Sequence, residues 1–176
     1  MKNLNLLLVG LVNSGKTTIA DKLSRRGFLG YFSIDDFRKK YSDGSFVGEY
    51  RSWYRFLRIA QRSPFPKNIF EFSGVGANKE AFMQTMKSSN QIWKTVYCVA
   101  SEEALKDREE IYNKKLNSVQ TPYGKSHFDD ITLKEIVNLY EVNYYQTPSI
   151  LIKTDSKPLE SIVEEILKFA EADEEQ

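Results

Sequence analysis

The residues Gly10-Leu11-Val12-Asn13-Ser14-Gly15-Lys16-Thr17 satisfy G-x-x-x-x-G-K-[ST], a spacing whose chemistry is the binding of phosphate. Consecutive backbone N–H groups at the start of a helix surround an anion with donors and with the positive end of the helix dipole. Glycine allows the close approach. Lys16 supplies a point charge for the β- and γ-phosphates of a nucleotide, and Thr17 carries a hydroxyl suited to one position on Mg2+. Asn13, Ser14 and Thr18 complete the cradle with Gly10 and Gly15.

Two further groups of residues are chemically suggestive. A short strand predicted over 30–34 ends in Asp35-Asp36-Phe37-Arg38, which places carboxylates and an arginine in a turn at the carboxyl end of a strand, where ligands bind in an open parallel sheet. A third strand, predicted over 68–72, contains Glu71 and runs into the turn Ser73-Gly74-Val75-Gly76. An acid in an apolar strand is costly to bury without a partner. Gly74 is a candidate wall for a second substrate at the same edge.

The segment 41–66 is dense in aromatics and arginine. At about 100° per residue, Arg51, Arg55, Arg58 and Arg62 form one narrow stripe, with Trp53, Phe56, Leu57 and Ala60 on the other side. Such a helix either covers a wet surface with arginine or grips a phosphodiester backbone, with bases stacked on nearby aromatics.

These residues need a scaffold to bring them together, and the pattern of the chain supplies one. The run 4–9 is apolar and too short for a helix, and 18–26 continues with helical spacing up to Gly27, a suitable left-handed cap. Strands are also predicted over 94–100 and 149–153. Helices are predicted from about Asn78, from Ser101 to about Leu116, over 133–144, and after Pro158. Five strands alternating with helices imply a three-layer α/β domain with a parallel sheet, spanning 1–170. The residues 171–176 form an acidic, frayed tail.

Bulk composition narrows the class. The chain has 176 residues, 41% hydrophobic and 28% charged, with 25 Lys plus Arg against 24 Asp plus Glu. A net charge of +1 gives no global attraction to nucleic acid or to an anionic membrane, so any such attraction must be local. Cys98 is the only cysteine and lies in the apolar run 96–100. It is read as a buried strand thiol, and no internal disulfide or cysteine metal cluster is available. No run approaches 18 apolar residues and no cleavable signal pattern precedes the first strand, so the expectation is a cytoplasmic protein without a membrane partner.

The loop together with Gly27-Phe28 through Ser33-Ile34-Asp35-Asp36-Phe37-Arg38 resembles the P-loop kinase family. The resemblance is to polynucleotide 5′-hydroxyl kinases and to small-molecule kinases such as those for shikimate, gluconate and adenylylsulfate. It implies the three-layer P-loop NTPase fold with strand order 2-3-1-4-5, and ATP with Mg2+ as cofactors. It also implies that Asp35 is the catalytic base, with Asp36 in reserve, while Lys16 and Arg108 attend the transferring phosphate. Asp36, Arg38, Arg51 and Arg55, within a segment 36–66, and Gly74 beyond it become acceptor-binding candidates. Thr17 and, through water, Glu71 become the Mg2+ candidates.

A lid is implied over 108–130, where Lys114, Lys115 and Lys125 are the substitutes for a second lid arginine; His127 is read as exposed. Thr154-Asp155 marks a resting place for adenine. A nucleotide switch is disfavoured, because Asn113-Lys114-Lys115-Leu116 lacks the aspartate of a guanine-reading motif and no Asp-x-x-Gly follows the third strand. A nucleic-acid 5′-hydroxyl kinase and a non-catalytic adaptor remain alternatives to a small-molecule kinase.

Overall fold

A computed structural model describes residues 2–116 and 132–172, the side chains of 112–116 excepted. The expectations placed on Lys114, Lys115, Lys125, His127 and the residues after 172 lie outside the described side chains.

The strand β1 (Leu4–Val9) is buried at all six positions, as an apolar run in the middle of a parallel sheet requires. Strands β2 (Gly30–Ser33), β3 (Lys67–Phe72), β4 (Ile92–Val99) and β5 (Ser149–Lys153) join it in one sheet. The order is β2-β3-β1-β4-β5, and every neighbouring pair is parallel. This is the order implied by the resemblance.

Seven helices are described: α1 (Lys16–Ser24), α2 (Ile34–Tyr41), α3 (Phe46–Gln61), α4 (Lys79–Ser88), α5 (Glu102–Leu116), α6 (Leu133–Glu141) and α7 (Leu159–Glu171). They cover both faces of the sheet, and the period-2 pleat of β1 divides its side chains between two cores. Leu7 and Val9 pack with Phe70, Phe72 and Tyr97 against α3, α4 and α6. Leu4, Leu6 and Leu8 pack with Ile69, Val96 and Cys98 against α1 and α7.

Local chemistry fixes the ends that matter for the site. The first helix stops where Gly27 takes φ +105. The Ser45 hydroxyl accepts from the Gly48 N–H and opens α3, while Pro64 stands just beyond its end. Thr132 and Glu135 form a reciprocal capping box at the start of α6.

One element departs from the sequence expectation. The segment read as an acidic turn is the first turn of a helix, α2, which follows β2 without a loop. The Ser33 side chain accepts from the Asp35 N–H, Asp35 and Asp36 occupy the first turn, and Arg38, Lys39 and Lys40 the last. That is the charge order favoured by the helix dipole. The signal was present, but the short span of eight residues carries too little apolar period to display it.

Candidate active site

The phosphate loop joins β1 to α1, and its two glycines are there for different physical reasons. A Cβ on Gly10 would lie 2.4 Å from the Cys98 carbonyl oxygen, so only glycine lets the loop cross β4 at this distance. Gly15 has φ +95, in the left-handed region. Lys16 follows it as the first residue of α1. Its ammonium donates to the carbonyls of Gly10 at 2.9 Å and Leu11 at 2.7 Å. Burial holds Lys16 below the ordinary lysine value, opposed by the nearby charge of Glu71, then Cys98 and Asp35.

Thr17 and Glu71 meet directly. The Thr17 hydroxyl donates to Glu71 Oε1 at 2.9 Å, and the Tyr31 hydroxyl donates to Glu71 Oε2. Glu71 is buried at the end of β3, and these two hydroxyls account for the partners its burial demands. Burial, then the charge and hydrogen bond of Glu71, push the Tyr31 phenol far above its ordinary value, so it stays a donor. The Thr17–Glu71 pair offers oxygen ligands only, the donor chemistry of Mg2+. Among the described residues no group of three or more His, Cys, Asp or Glu could hold a metal ion.

Asp35 and Arg38 lie on the first two turns of α2. Asp35 Oδ1 accepts from Arg38 Nη1 at 3.0 Å. Arg38 Nε and Nη2 donate to Glu49 on α3, at 3.0 and 2.6 Å, and the Trp53 indole N–H donates to the same carboxylate at 2.9 Å. Burial lowers the Arg38 guanidinium, but the hydrogen bonds and charge of Glu49, then Asp35, outweigh it and hold Arg38 above its ordinary value.

A cleft of about 220 Å3 connects these groups: Lys16 and Thr17 from the phosphate loop, Asp35 and Arg38 from α2, Trp53 from α3, and Glu71, Phe72 and Ser73 from β3. A wider depression of about 500 Å3 on α7 is bounded by Glu160, Glu164 and Glu165 with a single Lys168, a charge balance hostile to phosphate.

The other candidates are placed differently. Asp36 pairs with Lys39 at 3.3 Å on the solvent side of α2. Gly74 is buried against Val9, and its carbonyl accepts from Tyr145 at 2.5 Å; Ser73, not Gly74, lines the cleft. Arg51, Arg55, Arg58 and Arg62 are exposed on the outer side of α3, where Tyr50 and Tyr54 stack at 6.4 Å and Arg55 lies over Tyr41. Arg108 binds the outside of the phosphate loop. Its Nη1 donates to the carbonyl of Asn13 and the hydroxyl of Thr154, both at 3.0 Å, and Thr154 in turn donates to the Ser14 carbonyl at 2.7 Å. Thr18 is exposed on α1.

Two residues at or behind the cleft went unread in the sequence. Tyr31 and Glu49 are ordinary residues in a strand and a helix, and their partners stand 40 and 11 positions away, beyond any local pattern.

No family model matches the chain, and no curated protein sequence matches it. Its fold is shared with solved kinases. The shikimate kinase of Acinetobacter baumannii in complex with shikimate is 18% identical, with 98% of this chain and 95% of that one aligned at a TM-score of 0.61. The APS kinase of Mycobacterium tuberculosis in complex with AMPPNP and APS is 14% identical, with 97% and 98% aligned at 0.59. The shikimate kinase of Aquifex aeolicus is 24% identical, with 96% of each chain aligned at 0.55. The chain thus has the P-loop kinase fold over nearly its whole length. Among the described residues no helix is long and apolar enough to cross a membrane.

Proposed function

We propose that the protein transfers the γ-phosphate of ATP, with Mg2+, to a hydroxyl group of a small molecule. The observation that carries this reading is the cleft itself, which brings Lys16, the Thr17–Glu71 pair and Asp35 to one space. Each has a distinct task in phosphoryl transfer, where positioning and charge stabilisation supply most of the rate.

The backbone from Gly10 to Thr17 binds the phosphates, and Lys16 turns its ammonium from the loop carbonyls to the anion. Thr17 and, through water, Glu71 would hold Mg2+, which would supply charge to neutralise the phosphates. Tyr31 fixes the orientation of Glu71. Asp35 takes the proton of the acceptor hydroxyl as its oxygen bonds to the γ-phosphorus and the bond to the bridging oxygen of ADP breaks. Arg108 and Thr154 brace the loop from behind. The fold of nucleotide-binding kinases supports ATP as the donor.

The test is transfer of label from γ-labelled ATP to a mixed panel of nucleosides, nucleotides, sugars and small acids. Asp35→Asn should lower kcat by about 100-fold or more while ATP affinity stays within about twofold. Slow ATP hydrolysis that no acceptor intercepts and Asp35→Asn leaves untouched would instead favour a binding or adaptor protein.

A second reading has its own observation. Between 38 and 67 the chain carries eight basic residues and two acidic ones, and Tyr50 and Tyr54 stand exposed beside the arginine stripe. This composition suits a single-stranded nucleic acid whose terminal 5′-hydroxyl is the acceptor. Affinity for a 5′-hydroxyl oligonucleotide that falls steeply with salt distinguishes it from the small acceptor.

A further inference from the structure

Kinases whose acceptor carries a carboxylate or phosphate need a cation available to meet it. Among the described residues one arginine lines this cleft, and it is already engaged by two carboxylates. Arg38 gives Nη1 to Asp35 and gives Nε and Nη2 to Glu49, with its side chain only 16% exposed. Glu49 is itself fixed, because the Trp53 indole N–H holds Oε1 from the same helix. Asp35, Arg38 and Glu49 together therefore carry a net negative charge at the acceptor end of the cleft. The other cation among the described lining residues, Lys16, belongs to the phosphate loop, and Glu71 adds a further carboxylate between the two ends.

An anionic acceptor would have to lose water beside this cluster and compete with two intramolecular carboxylates for one guanidinium. A hydroxyl compound without charge meets no such opposition. Its oxygens have Asp35 as an acceptor, and the Trp53 and Phe72 side chains offer apolar contact.

We propose that the acceptor is an uncharged, hydroxyl-bearing molecule of the sugar or nucleoside kind, and that Glu49 sets this preference by occupying Arg38. The proposal rests on the phosphotransferase reading and names the chemical class of its acceptor. Glu49 is a specificity-determining residue that acts through Arg38, and no step of the transfer is assigned to it.

The experiment compares matched pairs: each uncharged hydroxyl compound and its own phosphate or carboxylate derivative. Wild-type protein should place label on the uncharged member, with kcat/KM at least tenfold above its anionic partner. Glu49→Gln, which removes the Glu49 charge from Arg38, should raise the anionic-to-uncharged ratio of kcat/KM by tenfold or more, mainly through KM for the anion. A wild-type preference for the anionic members, or a ratio that Glu49→Gln does not move, overturns the proposal.

A binding readout keeps the result independent of turnover. With AMPPNP and Mg2+ present, methyl phosphate is titrated while the Trp53 indole N–H resonance is followed by NMR. The resonance should not respond saturably in wild type and should do so in Glu49→Gln. A saturable response in wild type overturns the acceptor class whether or not any compound is phosphorylated, whereas failure of all label transfer counts against the phosphotransferase reading alone. If Glu49→Gln fails to fold, Trp53→Phe, which removes the donor that fixes Glu49, should raise the anionic-to-uncharged ratio of kcat/KM in the same direction by a smaller amount, and no movement of that ratio overturns the proposal.

Discussion

At the scale of single residues, the part of the site that was legible in the sequence is the part made by contiguous chain. Gly10 to Thr17 could be read because backbone donors, a lysine and a hydroxyl must follow one another at fixed spacing. Asp35 could be placed at a strand end for the same reason. Glu49 and Tyr31 could not, since each acts on a group far from it in sequence.

Lys16 illustrates what the structure adds to a residue already read. Its ammonium is buried and lies below the ordinary value of 10.5. The phosphates are bound by the charged form, so affinity is full below the lowered pKa and declines as pH rises through it. Bound phosphate raises that pKa again, and binding near it must take up protons. Titrating a non-hydrolysable ATP analogue calorimetrically over increasing pH should show affinity falling earlier than an ordinary lysine would dictate, with proton uptake measured from buffers of different ionisation enthalpy. Lys16→Ala should weaken binding at neutral pH by at least tenfold and remove the pH dependence. A dependence that persists in Lys16→Ala assigns it to another group.

At the scale of elements, β1, α1, β5 and α7 were readable from apolar period and their boundaries fell close to expectation. The exception, α2, shows that caps and charge order can carry a helix too short for periodicity to reveal. A different limit appears on β4. Lys94 sits in an apolar strand and is 2% exposed, and from sequence it has no visible partner. The structure supplies one at the end of α7, where the ammonium donates to the carbonyls of Phe169 at 2.8 Å and Ala170 at 2.9 Å. A cation is favoured there by the negative end of the helix dipole, and the last carbonyls of a helix otherwise lack intrahelical donors. Lys94→Met keeps the length of the side chain and removes the charge and donors. It should lower stability by about 2–4 kcal/mol, seen as a reduced urea midpoint with an unchanged slope. A loss under about 0.5 kcal/mol would show that water takes over the carbonyls readily.

At the scale of the whole molecule, the phosphate loop is expected to open together with the centre of the sheet as one cooperative unit, and Cys98 makes this measurable. The sequence showed a thiol in an apolar strand, but not what rests on it. The Cys98 side chain is fully buried on the α1–α7 side of the sheet. Burial pushes its thiol up to about 12, with the Lys16 charge acting in the opposite sense. Its carbonyl is the atom that a Cβ on Gly10 would strike. Exposing Cys98 therefore means separating β4 from the strand and helices that support the loop, and a chain in that state cannot hold nucleotide. Thiolate reagents should label Cys98 only through such openings. If opening and reclosing are fast relative to labelling, a ligand that binds only the closed form slows it by the factor 1 + [L]/Kd, about 100-fold at 100 times Kd. AMPPNP with Mg2+ should produce that slowing in the wild-type protein and far less at the same concentration in Lys16→Ala. Labelling that is slow but indifferent to saturating nucleotide would mean that β4 opens while the loop stays intact, and the two would then be separate units of the fold.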